Sequence, residues 1–404
     1  MKLKMDHIMD MKMTKKTYKI LDFGMHPYAD TFINKNQINL SEPVYPLELY
    51  LDEDSGYIQT GCSTNDFERY NLYSYSYTSS NSNFSRNHWI SFYDSMINKF
   101  DLKDKKVIEV GSNDGFLLNM FKDSITLGID SSKEMCEISN TLGIESINKT
   151  FNHFVAKEVL HTYGKCDLLI ANNVFNHSND PIDFAKGVEE LLNDNGTFVC
   201  EMPYWLSTVE SGKFDQIYHE HVSYFTAKSL FNLLKVSNLE IFDMEIVDYH
   251  GGSIRIYARK SNMVKLNKII SDQILIEEKF GIFNPSFYVE WQNKIEINRN
   301  NFLLKLYKIK SDSPNSIIIG VGAAAKANTF LNYYKLDKIL INYITDSSEY
   351  KIGKLTPLTR IPIVSDNIFS KFDDVYAIIL SWNISNDLRN ILLKINSKIK
   401  FIDI

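Results

Sequence analysis

Residues 107–116 read Val-Ile-Glu-Val-Gly-Ser-Asn-Asp-Gly-Phe. The first four residues form a run that is apolar except for Glu109 and that stops at a glycine. Such a run is typical of a strand buried in a parallel sheet, and a glycine directly after it permits a sharp turn. Further candidate strands alternate with helical patterns along the chain. This alternation predicts βαβ units and a Rossmann-like α/β domain. The candidate strands of this domain are residues 106–110, 126–129, 168–172 and 196–201, with a further pair near 239–247 and 253–259.

The turn after the first strand has the spacing G-x-x-x-G, whereas most dinucleotide-binding turns read G-x-G-x-x-G. Glu109 precedes the turn, and Asp130 ends the next candidate strand 19 residues after Gly111. A carboxylate at that position can accept hydrogen bonds from both hydroxyls of a ribose. Because the turn lacks the usual pyrophosphate cradle, it favours S-adenosylmethionine over NAD. The alternative is a Rossmann-like domain in which the glycine and the aspartate serve only the turn.

Two asparagines follow the third candidate strand, at the edge where open α/β sheets bind ligands. They can orient the amino-acid part of the cofactor, or they can simply cap a turn and a helix. The residues that we expect to contact S-adenosylmethionine are Glu109, Gly111, Ser112, Asn113, Gly115, Asp130, Asn172 and Asn173.

A second strand and glycine turn begin at residues 316–322, Ser-Ile-Ile-Ile-Gly-Val-Gly, and continue as Ala-Ala-Ala-Lys. This pattern predicts a second Rossmann-like domain. We therefore divide the 404 residues into a small β-rich amino-terminal module, an S-adenosylmethionine-binding domain, and a helical connector with a carboxyl-terminal domain. The boundaries of the three parts are 1–80, 81–260 and 261–404.

Composition excludes several classes of partner. The net charge of −6 provides no overall basic field for nucleic acid. The longest nearly apolar run, residues 317–325, is far shorter than a membrane-spanning helix, and charged residues near the amino terminus predict no signal peptide. The cysteines are too widely separated for a disulfide framework, so we expect a reducing cytoplasm. They are Cys62, Cys136, Cys166 and Cys200.

Residues 214–225 form the motif segment, Phe-Asp-Gln-Ile-Tyr-His-Glu-His-Val-Ser-Tyr-Phe, which is rich in groups that transfer protons. Its His-x-His pair is also compatible with a metal site. Zinc needs at least one more protein ligand, and no further His/Cys cluster lies nearby in the sequence. We therefore predict no metal at this segment.

Four stretches together resemble the C-3 methyltransferases that act on nucleotide-linked 4-keto-deoxysugars: residues 109–115, 171–174, 214–221 and 320–326. The resemblance implies a class I S-adenosylmethionine-dependent methyltransferase domain. It also implies that His221 is the general base, with Tyr218 and Glu220 beside it. A base that is neutral near pH 7 suits removal of a proton from carbon next to a ketone, and tyrosine can stabilise the enolate oxygen. Glu220 is expected to orient the imidazole or to bind a sugar hydroxyl.

The resemblance further implies a nucleotide-diphosphate sugar as substrate, with its diphosphate at the second glycine turn. The tyrosine-rich residues 70–77 are a candidate cover over the sugar, or else a surface loop. The candidate substrate-binding residues are Tyr75, Tyr77, Gly322, Lys326 and Asn328.

Three alternatives to C-methylation remain open at this point. They are O-methylation of a sugar or glycan, a non-catalytic nucleotide-sugar-binding protein, and an NAD-dependent enzyme that uses Gly320 and Gly322. For the last, the sequence shows no hydride-transfer constellation. The oligomeric state is not determined by the sequence.

In the family that this chain resembles, the amino-terminal module usually holds zinc in two Cys-x-x-Cys pairs. No cysteine precedes Cys62 in this chain, so thiolate ligation of zinc is lost.

We predict that protein purified without a metal-binding tag contains far less than stoichiometric zinc. A chelator should leave its melting temperature unchanged, because no thiolate cluster couples metal binding to folding. Elemental analysis and thermal melts test this, and stoichiometric zinc would show that histidines and carboxylates have replaced the cysteines.

Overall fold

A computed structural model describes residues 16–62, 64–65, 69 and 82–404. Its strands are β1 (Thr17–His26), β2 (Tyr45–Asp52), β3 (Ile58–Thr60), β4 (Lys106–Val110), β5 (Ile125–Asp130), β6 (Ser146–Asn148), β7 (Cys166–Ile170), β8 (Leu192–Pro203), β9 (Ser223–Tyr224), β10 (Leu239–Val247), β11 (Ser253–Lys260), β12 (Ile317–Val321), β13 (Tyr343–Thr345), β14 (Ile363–Val364), β15 (Val375–Ile379) and β16 (Lys400–Ile402). Its α-helices are Asn83–Lys99, Lys133–Thr141, His153–Tyr163, Pro181–Leu191, Trp205–Glu210, Ala227–Lys235, Lys268–Phe280, Pro285–Asp312, Ala325–Tyr334 and Ser385–Ile395.

The central sheet has seven strands in the order β10-β11-β8-β7-β4-β5-β6. The strands from β8 to β6 are parallel to one another, and β11 is antiparallel to both of its neighbours. The run at residues 107–110 forms most of β4, with Val107, Ile108 and Val110 buried. Burial on both faces of the sheet explains why Val107, Ile108 and Val110 are all apolar, and the exception, Glu109, lines the cleft described below. The predicted class I fold is confirmed.

The strand order of this sheet reverses between β4 and β7, which are hydrogen-bonded neighbours. Open α/β sheets bind ligands in the crevice at such a switch point, outside the carboxyl ends of the strands. The turn after β4 and the asparagines after β7 therefore meet at one edge of the sheet.

The carboxyl-terminal sheet has five parallel strands in the order β14-β13-β12-β15-β16. Its switch point lies between β12 and β15, so the turn at Gly322 adjoins Ser381 after β15. A Cβ added at Gly322, where φ is +98°, would lie 2.0 Å from the Ser381 Oγ. Glycine is therefore required for the two turns to approach this closely.

A third, antiparallel sheet has the order β1-β2-β3-β9. Its last strand, β9, comes from the motif segment: Ile58 pairs with Tyr224, and Gln59 pairs with Ser223. This pairing was not predicted from the sequence. The division at residues 80 and 260 stays a prediction, and the amino-terminal sheet is completed by a strand from the second part.

The connector consists of the helices Lys268–Phe280 and Pro285–Asp312. Both are packed against the rest of the chain. The Trp291 indole donates to the Val209 carbonyl at 3.1 Å, and the Glu277 carboxylate accepts from the Tyr204 hydroxyl at 2.7 Å. In the part of the chain that the structure describes, no helix is both long and apolar enough to cross a membrane.

A buried ion pair braces the edge of the central sheet near the carboxyl end of β8. The Glu201 carboxylate is fully buried and accepts from Nε of Arg255 on β11 at 2.9 Å. Its second oxygen lies 2.6 Å from Nε2 of His88. Arg255 and His88 thus hold the end of β8 against the neighbouring strand and the helix Asn83–Lys99.

Replacing Arg255 with methionine leaves the Glu201 carboxylate buried without its cation. We predict that Arg255→Met lowers the free energy of unfolding by about 3–5 kcal/mol, as for other broken buried ion pairs. The matched control is Arg259→Met on the same strand, since Arg259 meets Glu240 at the surface and should change stability by less than about 0.5 kcal/mol. Urea unfolding of both variants tests this, and equal losses would contradict it.

Candidate active site

A cleft of about 270 Å³ opens at the switch point of the central sheet. Its walls come from the ends of β4, β5 and β7 and from residues 177–184. Six of the eight predicted cofactor residues line it: Glu109, Gly111, Asn113, Asp130, Asn172 and Asn173.

Glycine at positions 111 and 115 gives the turn after β4 its shape. Both have positive φ, and a Cβ at Gly111 would lie 2.9 Å from the Val174 Cβ. At Gly115 a Cβ would lie 2.4 Å from the Ser139 Oγ. Ser112 and Gly115 do not line the cleft. Ser112 packs over Gly128 of β5, so the two residues shape the turn, and their predicted cofactor contact is not supported by this placement.

Asp130 fixes the same turn from the end of β5. One carboxylate oxygen accepts from the Asn113 amide at 2.9 Å, and the other accepts from the Ser132 amide at 2.8 Å. Burial raises the pKa of Asp130, although these two hydrogen bonds act in the opposite direction. Each oxygen retains a lone pair for a ligand hydroxyl.

The cleft carries unsatisfied polar groups and an excess of carboxylates. The side chains of Glu109 and Asn172 both have buried polar atoms without a hydrogen-bond partner. Burial raises the pKa of Glu109 well above its usual value, and the nearby Asp114 and Asp130 carboxylates raise it further. A ligand with positive charge and hydroxyl groups would provide partners for these polar atoms and would offset the clustered carboxyl groups, which disfavour an anionic dinucleotide. S-adenosylmethionine, a sulfonium with a ribose and an ammonium group, therefore fits these residues.

The motif segment carries a histidine whose tautomer is fixed by its contacts. Nδ1 of His221 lies 2.9 Å from the Gln216 carbonyl, which can only accept, so Nδ1 bears the proton. Nε2 then carries the unprotonated lone pair, which accepts a hydrogen bond from the Tyr218 hydroxyl at 2.7 Å. Burial lowers the pKa of His221 to about 4. The imidazole is therefore neutral near pH 7 and is available as a base.

A second histidine, which the sequence analysis missed, connects this base with the cofactor cleft. His177 lines the cleft, and its ring centroid lies 5.1 Å from that of His221. Burial and the charges of His221 and Arg69 hold its pKa well below the usual value. A histidine five residues after the third strand is the only sequence signal for it.

Glu220 faces away from the imidazole. One of its oxygens accepts from the backbone amides of Ala29 and Asp30 at 3.1 and 3.2 Å, and the other is buried without a partner. Burial, with the Asp30 carboxylate nearby, raises the pKa of Glu220 to about 7. The expectation that Glu220 orients the imidazole is not met, because the Gln216 carbonyl has that role. Glu220 instead joins the motif segment to the amino-terminal module.

The second glycine turn repeats the hydrogen bonds of the first. Asp346 at the end of β13 accepts from the Ala323 amide and from the Ser348 amide, both at 2.8 Å. The charge around this turn is different, however. Lys326 contacts the Asn383 side chain and lies 4.2 Å from the Trp382 ring centroid. Burial lowers the pKa of Lys326 to about 8, although the Asp215 carboxylate raises it.

The remaining predicted substrate residues differ in their placement. Asn328 is buried, and its side-chain nitrogen donates to the Ala29 carbonyl at 2.5 Å, so this donor serves the amino-terminal module. Its Oδ1 is buried without a partner. Tyr75 and Tyr77 lie outside the described residues.

Two family models match parts of this chain. Residues 85–243 match the methyltransferase domain family, and residues 248–402 match the family described as the C-methyltransferase C-terminal domain. The chain is an S-adenosylmethionine-dependent methyltransferase. This methyltransferase is 28% identical over 318 residues to the C-methyltransferase NovU of Streptomyces niveus, an alignment that covers 78% of this chain and 75% of that protein. The predicted enzyme class and cofactor are confirmed.

Two solved structures also resemble part of this methyltransferase. An S-adenosylmethionine-dependent methyltransferase from Clostridium acetobutylicum has 13% identity and a TM-score of 0.36, covering 48% of this chain and 96% of its own. Magnesium protoporphyrin IX methyltransferase from Synechocystis, with bound SAH, has 14% identity and a TM-score of 0.35, covering 44% and 83%.

Within residues 16–62, 64–65, 69 and 82–404, no group of three histidine, cysteine or acidic side chains is placed to hold a metal ion. The absence of zinc stays a prediction.

The role of Asp130 can be tested against its counterpart in the second sheet. We predict that Asp130→Ala weakens S-adenosylhomocysteine binding by about 1–3 kcal/mol, the cost of losing hydrogen bonds to a charged acceptor. Asp346→Ala removes the same two loop contacts from the other turn and should leave this affinity unchanged. Calorimetry on folded variants provides the measurement. Unchanged affinity in Asp130→Ala would remove Asp130 from the cofactor site.

Proposed function

We propose that this methyltransferase transfers a methyl group to carbon 3 of a nucleotide-diphosphate 4-keto-6-deoxy sugar through an enolate. The observation that carries the proposal is the buried, neutral His221, whose Nε2 faces a tyrosine hydroxyl. S-adenosylmethionine, when bound, supplies an electrophilic methyl group. Removal of the proton on the acceptor carbon is left to the protein.

The contacts of His221 suit it to remove a proton from carbon. Its Nδ1 proton is held by a backbone carbonyl, so Nε2 is the basic nitrogen, and it is not protonated near pH 7. The Tyr218 hydroxyl is a donor that can turn from Nε2 to a substrate oxygen. Removal of a proton next to a ketone requires this combination of a base and a nearby donor.

The position of the base also supports methyl transfer at this site. His177 lines the cofactor cleft and approaches His221 within 5.1 Å, measured between ring centroids. An acceptor carbon held beside His221 would therefore lie next to the cleft. Proximity of this kind can supply a large part of the rate enhancement.

Charge supports an anionic substrate at the second turn. The helix Ala325–Tyr334 begins there, and helix amino termini favour anions. Lys326 and Lys213 both approach the Trp382 ring, at 4.2 and 4.8 Å from its centroid. A diphosphate at this turn, with the sugar reaching toward His221, fits that distribution. The match to the C-methyltransferase C-terminal domain and the likeness to NovU support carbon as the acceptor atom.

Proton exchange separates carbon from oxygen methylation. With S-adenosylhomocysteine in the cofactor site and a 4-keto nucleotide sugar in D2O, we expect the enzyme to exchange the C3 proton faster than the solution background. Exchange needs only an enolate and no methyl donor. His221→Ala should abolish both exchange and methylation and leave the affinity for S-adenosylhomocysteine nearly unchanged.

The control for this experiment is His161→Ala, which changes an exposed histidine and should leave both rates unchanged. His221→Gln serves if the alanine variant does not fold. The product identifies the acceptor atom, since a new methyl signal on carbon supports the proposal. A methoxy signal from a true substrate would favour the O-methyltransferase alternative and overturn it.

A further inference from the structure

Gln216, whose backbone carbonyl contacts His221, has a buried side-chain donor without a hydrogen-bond partner. Its side chain is buried, with 5% of the residue exposed, and its Nε2 has no hydrogen-bond partner. Its backbone carbonyl holds Nδ1 of His221 at 2.9 Å. A buried donor without a partner is unfavourable, and beside a functional group it points to a site that a ligand completes.

The amide of Gln216 faces the seam between the two α/β sheets. A Cβ added to Gly251, in the turn between β10 and β11, would lie 3.7 Å from the Gln216 Nε2 and 2.6 Å from the Trp382 ring. Trp382 in turn donates to the Asp215 carboxylate at 2.7 Å. The Gln216 amide therefore lies near the Gly251 turn of one sheet and near the tryptophan that follows β15 of the other.

His250, which precedes Gly251, adds a second neutral polar group to the turn near the Gln216 amide. Its backbone is in the left-handed region, with φ at +52°. Burial lowers the pKa of His250 well below its usual value, and the charges of Lys326, His221 and His88 lower it further. The groups that face His250 thus include the base and the lysine of the second turn. A neutral group of this kind binds an uncharged oxygen without competing for the proton that His221 must take.

We propose that the Gln216 side-chain amide binds the ketone oxygen of the acceptor sugar and stabilises that oxygen as it becomes an enolate. The inference rests on the proposed function. When His221 takes the proton from carbon 3, the electron pair of the C–H bond forms a carbon–carbon double bond. The π electron pair of the C=O bond then moves onto the oxygen. Tyr218 directs its one hydroxyl proton at Nε2 in this structure, whereas both protons of the Gln216 amide are unused. Gln216 is thereby a catalytic residue that sequence spacing alone does not distinguish from its neighbours.

The test compares Gln216→Met with wild-type enzyme on a 4-keto nucleotide sugar. Methionine keeps the length of the side chain and removes the donor, and the backbone carbonyl that holds His221 remains. We expect kcat to fall by about 10²–10³-fold, as for loss of one oxyanion donor, with KM changed by less than about threefold. The D2O exchange rate should fall in parallel, and Gln216→Glu should lose at least as much.

Two further measurements separate this role from a structural one. The ¹⁵N spectrum of the His221 imidazole should keep Nδ1 protonated, and affinity for S-adenosylhomocysteine should be unchanged. The matched control is Gln292→Met, since the Gln292 amide bonds the Asp22 carbonyl at the surface, and its kcat should equal the wild-type value.

The outcomes distinguish the inference from the function on which it rests. If wild-type enzyme methylates carbon while folded Gln216→Met keeps its kcat, or changes only in KM, the role of Gln216 is overturned and the function stands. A methoxy product from wild-type enzyme overturns both. A kcat effect that accompanies an altered His221 tautomer also overturns the role, because it would arise from displacement of the base.

Discussion

The motif segment is held by hydrogen bonds from the amino-terminal sheet region, the central domain and the carboxyl-terminal domain, and the position of His221 depends on them. The Thr329 hydroxyl of the carboxyl-terminal domain donates to the Ile217 carbonyl at 3.0 Å, and the Val222 amide donates to the Asn176 carbonyl after β7 at 2.9 Å. Glu220 accepts from the amino-terminal module, and β9 completes its sheet. A catalytic group must be held within a fraction of an ångström to act, and this segment has only a short 3-10 helix, Phe214–Gln216, and no α-helix of its own to fix it.

The amino-terminal sheet is connected to the motif segment by backbone and side-chain hydrogen bonds. The Tyr57 hydroxyl and the Ser223 Oγ are 2.6 Å apart, and both groups are buried. With the backbone pairs between β3 and β9, this contact fastens the sheet to the motif segment. Packing also stabilises this sheet, since apolar side chains of β1 and β2 lie in the buried core.

The two glycine turns have the same backbone hydrogen bonds but are surrounded by side chains of different charge. At each turn an aspartate accepts two backbone amides and fixes the loop, which is a property of the fold. The surrounding side chains determine which ligand fits. Glu109 and Asp114 surround the first turn and suit a cationic sulfonium, whereas Lys326 near the second turn suits an anion. The side chains around the two turns therefore differ in charge, although the backbone hydrogen bonds of the turns are alike.

The sequence by itself determined the two α/β sheets and the edge at which the cofactor binds. Buried parallel strands and glycine turns are local patterns, and parallel topology brings strand ends together wherever the pattern occurs. The sequence also located the motif segment that contains His221. Only the tertiary structure showed that β9 joins the amino-terminal sheet, that Glu220 faces Ala29, and that His177 and Gln216 lie beside the base. Those contacts join residues far apart in the chain or depend on the direction of a side chain, and neither is fixed by local spacing.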